Sequence, residues 1–139
     1  MKEKNRIEEK IFEIETYLEN IIDFRPQTLD EYKNDLKTKA ACERVFEKII
    51  ESCIDLAFLI IKKNKFSFPE DDEGAFYRLF KQGIISEDLS KRLISAKGMR
   101  NFIVHKYGEI DDSKVFHSIS EELEKDINDF ISSIKGCLR

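Results

Sequence analysis

The stretch Ala40-Ala41-Cys42-Glu43-Arg44-Val45-Phe46-Glu47-Lys48-Ile49-Ile50-Glu51-Ser52-Cys53-Ile54-Asp55-Leu56-Ala57-Phe58-Leu59-Ile60-Ile61 sets the fold class. Placed on a helix, its apolar residues leave only a narrow polar stripe. A helix that is apolar on nearly all sides is either central to a bundle or shared with a second subunit. Both alternatives require other helices around it.

Those helices are legible on either side. Upstream, Ile7, Ile11, Ile14, Leu18 and Ile21 or Ile22 recur at steps of four and three, the seam of a helix packed along its length, which Pro26 ends. Thr28-Leu29-Asp30-Glu31 has the form of a capping box, which predicts one long second helix from about Leu29 toward Lys63. A further helix is expected to start around Phe68-Pro69-Glu70 and to stop at Gly83, with Ile84 and Ile85 folding back onto it. Ser86 is placed to cap the next helix, carried by Leu89, Leu93 and Ile94 and stopped at Gly108. Asp111-Asp112-Ser113 caps a last helix whose apolar positions are Phe116, Ile119, Leu123, Ile127, Phe130 and Ile134. The expected fold is all-α, an antiparallel four-helix bundle with an additional short helix, in one domain covering residues 1–139.

Composition agrees: five Gly, two Pro and 37% charged residues favour helices over a turn-rich β fold. The three cysteines, Cys42, Cys53 and Cys137, lack metal-ligand or framework spacing, and two of them lie in a strongly apolar segment; they read as small core residues of a reduced protein, implying neither disulfide nor zinc. The amphipathic N-terminus does not read as a targeting peptide, and the apolar run from Leu56 to Ile61 is too short to span a bilayer. A cytoplasmic protein is expected. The net charge of -4 argues against generic phosphate binding, yet Lys91, Arg92, Lys97, Arg100 and Lys106 lie in a window with no acid. Such a window is expected to focus an anion at one site.

Within it, Arg100-Asn101-Phe102-Ile103-Val104-His105-Lys106-Tyr107 holds the candidate chemistry. Arg100 and Tyr107 share a helix face about 10 Å apart, whereas His105 leaves at roughly 140° from Arg100. His105 joins them where the helix frays or turns, for which Gly108 gives the occasion. A helix C-terminus favours protonated histidine, and arginine offers a planar fork suited to phosphate. Together these groups fit metal-free RNA cleavage, in which the 2′-OH attacks the adjacent phosphorus and His105 moves a proton. A second acid or base is missing from one chain, and two chains meeting at a two-fold axis would supply it. Each residue also has a structural role open to it: a helix cap for His105, a solvated face for Arg100, a core edge for Tyr107.

The same residues resemble the Arg-Asn-x-x-x-His-x-Tyr signature of HepT-like HEPN proteins, and the likeness extends through Ala40–Arg44, Cys53–Ala57, Gly83–Ile85 and Asp111-Asp112. The resemblance implies a homodimeric HEPN bundle paired with a minimal nucleotidyltransferase antitoxin, acting as a metal-independent endoribonuclease toxin without a cofactor. It assigns catalysis to Arg100 and His105, support to Asn101, and AMP modification to Tyr107. Lys97 and Lys106 are candidates for guiding RNA. Arg44 and Asp55 are read as a structural ion pair or as contacts to the site, and His117 as solvent-facing. The alternative is a non-catalytic subunit that binds, or is modified by, the nucleotidyltransferase.

Overall fold

The computed structural model describes residues 2–105 and 111–138, without the side chain of Glu3. Among the described residues seven α-helices follow in order: α1 (Lys2–Phe24), α2 (Leu29–Asn34), α3 (Leu36–Lys63), α4 (Asp72–Lys81), α5 (Glu87–His105), α6 (Asp112–His117) and α7 (Leu123–Cys137). A π-helical turn, Ser118–Glu122, joins α6 to α7 in one nearly continuous rod. The long elements α1, α3, α5 and the α6–α7 rod form the four-helix bundle, with α2 and α4 as short additions.

The apolar helix is central to the bundle. α3 packs against α1, α4 and α5, and its Phe46, Ile49, Ile50, Cys53, Leu56, Ala57, Ile60 and Ile61 are buried within the chain. Burial of each large side chain contributes roughly 1.5–3 kcal/mol. The seam of α1 (Ile7, Ile11, Ile14, Leu18, Ile21) and that of the last rod (Ile119, Leu123, Ile127, Phe130, Ile134) are buried as their periodicity predicts.

The second predicted helix differs from expectation, being broken at Asp35 (φ -112°, ψ 92°). The Asp35 carboxylate accepts from the Thr38 amide at 3.1 Å and from its hydroxyl at 2.7 Å. A short acidic side chain that bonds its own backbone competes with helix continuation, so Asp35 ends α2 and caps α3. The other caps fall where the sequence puts them. Thr28 accepts from the Glu31 amide, Ser86 from the Leu89 amide, and Asp111 from the Ser113 amide. Asp71 caps α4, so that helix begins just after Pro69.

Gly83 (φ 77°) closes α4 with the Ile84 amide donating to the Leu79 carbonyl and its own amide to Phe80, both at 2.9 Å. That is a left-handed helix stop of the kind glycine favours. Lys65 (φ 58°) makes the equivalent stop on α3 without a glycine, the Phe66 amide donating to Ile61 at 3.0 Å. In the π-helical turn the carbonyl of Ile119 accepts from the Arg25 guanidinium at 2.9 Å, which ties the end of α1 to the last rod. No described helix is long and apolar enough to cross a membrane.

Candidate active site

The site is carried by the last two turns of α5, which lie over α3. Ile103 is buried and anchors this end of the helix, while Phe102 and Val104 are 52% and 38% exposed. Arg100 lies on the α3 side. Its Nη2 donates to Glu51 Oε1 at 2.8 Å and its Nη1 to Asn101 Oδ1 at 2.9 Å. Because arginine only donates, the Asn101 oxygen must face the guanidinium, and its amide nitrogen is left to donate elsewhere. Arg100 Nε is buried without a hydrogen bond, so the fork's orientation depends on its two terminal nitrogens. Glu51 also has Lys48 at 3.7 Å, and the Arg100 hydrogen bond holds its carboxyl below the usual glutamate range.

His105 is the last described residue of α5 and is exposed. The helix stays regular through it, so the fraying that would swing His105 toward Arg100 does not occur up to that point. Within one chain the two residues leave α5 about 140° apart. Lys106, Tyr107 and the predicted stop Gly108 lie outside the described residues. Between α5 and α6 a groove of 460 Å³ opens beside the motif, lined by Gly98, Met99, Phe102 and Val115 among others.

The local charge window needs correction. Lys91 pairs with Glu87 at 3.1 Å, Arg92 with Asp88, Asp126 and Asp129, and Lys97 approaches Glu73 of α4 to 3.7 Å. With Arg100 on Glu51, each described cation of the window faces an acid, most of them from other helices. An acid-free stretch of sequence is therefore not an unopposed positive surface. Arg44 and Asp55 do not pair with each other either: Arg44 bonds Glu47 at 2.8 Å, and Asp55 lies 3.6 Å from Lys10. His117 is exposed, as expected. Glu51 is the site residue that sequence reasoning missed, since on α3 it is one of several acids in a polar stripe and only the packing of α5 singles it out.

An all-helical bundle with Arg-Asn-x-x-x-His on one of its long helices defines a HEPN-type protein. The model of the family described as "Ribonuclease HepT-like" matches residues 14–134, and the chain belongs to that family. It is 31% identical over 119 residues to a protein of Aphanizomenon flos-aquae named tRNA nuclease HepT, covering 86% of this chain and 81% of the relative. A putative RNase of Archaeoglobus fulgidus is 32% identical over 127 residues, 89% of this chain and 94% of that protein. Among solved structures, the tri-AMPylated Shewanella oneidensis HEPN toxin in complex with MNT antitoxin superposes with a TM-score of 0.88 at 28% identity, covering 94% and 96% of the two chains.

Proposed function

We propose that this chain is a metal-independent endoribonuclease toxin, a single cytoplasmic domain that acts as a homodimer and is neutralised by a nucleotidyltransferase partner that transfers AMP to Tyr107. The observation that carries this reading is the held guanidinium of Arg100, clamped by Asn101 and Glu51 at the motif, in a chain of a ribonuclease family.

In the proposed reaction the RNA 2′-oxygen bonds to the adjacent phosphorus and the bond to the 5′-oxygen breaks. A cyclic phosphate and a free 5′-hydroxyl result. Arg100 neutralises the extra charge on the pentacoordinate phosphorus. One His105 takes the 2′-OH proton, and a second, from the other subunit, gives a proton to the leaving oxygen. The wide angle between Arg100 and His105 on one helix supports this division between two chains, and the exposed Phe102 and Val104 provide apolar surface for their contact. Lys97 and Lys106 are assigned to guiding RNA, with Lys97 first exchanging Glu73 for phosphate.

Purified protein without AMP, incubated with RNA in chelator, is expected to yield cyclic phosphate ends that are absent with His105→Ala. Cleavage that disappears in chelator would remove metal independence. No cleavage by folded, unmodified protein across several RNA pools would favour the non-catalytic binding subunit. Co-expression with a cognate nucleotidyltransferase should add AMP masses that vanish in Tyr107→Phe.

A further inference from the structure

Glu51 stands on the most deeply packed helix of the bundle. Its neighbours Ile49, Ile50, Cys53 and Ile54 are buried, which fixes the register of α3. From that support its carboxylate reaches across to α5 and accepts from Arg100 Nη2 at 2.8 Å. The Arg100 side chain is mostly buried, at 20% exposure, and its Nε has no hydrogen bond. A long arginine held only by the adjacent Asn101 would keep much of its rotational freedom, because both residues ride on the same helix. The contact to a different helix fixes where the fork points. Active-site groups work when rigid elements hold them close to the productive geometry.

We propose that Glu51 is a positioning residue for the cleavage reaction, its carboxylate holding the Arg100 guanidinium in the orientation that meets the scissile phosphate. This rests on the ribonuclease reading above. Glu51 does not exchange protons in the reaction. Its carboxyl lies below the ordinary glutamate range because of the Arg100 hydrogen bond, and so it stays ionised at neutral pH. It acts through Arg100 alone.

The test compares Glu51→Ala and Glu51→Gln with the full-length wild-type protein, each checked for native melting. Two readouts are used: RNA cleavage kinetics across pH, and rotation of the Arg100 guanidinium by nitrogen-15 NMR, assigned by loss of its signal in Arg100→Lys. Glu51→Ala should lower kcat by about tenfold to a hundredfold while KM stays within about twofold. Its guanidinium should rotate faster. Glu51→Gln keeps an oxygen acceptor and should recover most of kcat and the slow rotation, with the pH profile unmoved in both variants. Wild-type kcat or unchanged rotation in Glu51→Ala would overturn the proposal, as would a Gln variant no better than Ala. Loss of one limb of the pH profile would instead make Glu51 an acid or base. If wild type cleaves no RNA, the ribonuclease reading fails and with it the role in cleavage, whereas rotation still reports separately whether Glu51 holds Arg100.

Discussion

Arg100 satisfies two oxygens on two helices at once, and only a planar fork does so. Lysine at this position keeps the charge and loses the geometry. Arg100→Lys is therefore expected to fold normally and to lower RNA cleavage on the order of a hundredfold, which single-turnover measurement of cyclic phosphate ends would check. Activity near that of wild type would show that charge alone is enough. A second expectation at this scale concerns the thiols. Cys42 and Cys53 are buried and Cys137 half-buried; burial pushes the Cys42 thiol up to about 11 and raises Cys53 further. Titration with a thiol-specific disulfide reagent near pH 8 should find Cys137 reacting first and the other two only on unfolding. Rapid reaction of all three in the native state would contradict this burial. The core character of Cys42 and Cys53 was legible because they fall on the apolar face of a helix. Glu51 was not, because its role depends on a contact between residues 49 apart in the chain.

At the scale of elements, the two left-handed helix stops give opposite predictions. Gly83 has open space where a Cβ would project, so Gly83→Ala costs only backbone strain, about 1 kcal/mol. Lys65 already bears that strain at φ 58°, so Lys65→Gly should stabilise the fold by up to about 1 kcal/mol. Chemical denaturation of both variants checks the pair, and effects of the same sign would refute it. Gly83 was visible in sequence as a glycine followed by apolar residues. The stop at Lys65 was hidden, since lysine carries no conformational signal there. The break at Asp35 was hidden for a related reason: Asp35-x-x-Thr38 is a valid cap, but it sits where a capping box seven residues earlier already accounts for a helix. Asp35 also gives a pH signature. Hydrogen bonds from Thr38 hold its carboxyl below the ordinary 3.8. Its contribution is therefore complete above that value and lost as pH falls through the lower folded-state value. Asp35→Asn should flatten the acid end of the stability curve.

At the scale of the whole molecule, the core could be read from periodicity because each helix declares its own buried face. Charge could not, because pairs such as Lys97 with Glu73 and Arg92 with Asp126 join residues that the chain keeps far apart. The same limit applies to the site. Arg100 and His105 are near in sequence, yet a helix that stays regular through His105 directs them about 140° apart. If one chain sufficed, His105 would have to reach Arg100 around the very helix that carries both. If two chains combine, Arg100 of one meets His105 of the other at a two-fold axis, and the angle ceases to be an obstacle. Mixing Arg100→Ala with His105→Ala after subunit exchange distinguishes these arrangements. Each variant alone should be inactive. A composite cleft retains one Arg100 and one His105 in every mixed dimer, so slow cleavage, with water in place of the second histidine as proton donor to the leaving oxygen, should return above either parent in proportion to the mixed fraction measured by native mass spectrometry. Mixed dimers that form and remain inactive would place the reaction within single chains, or require both copies of each residue at once.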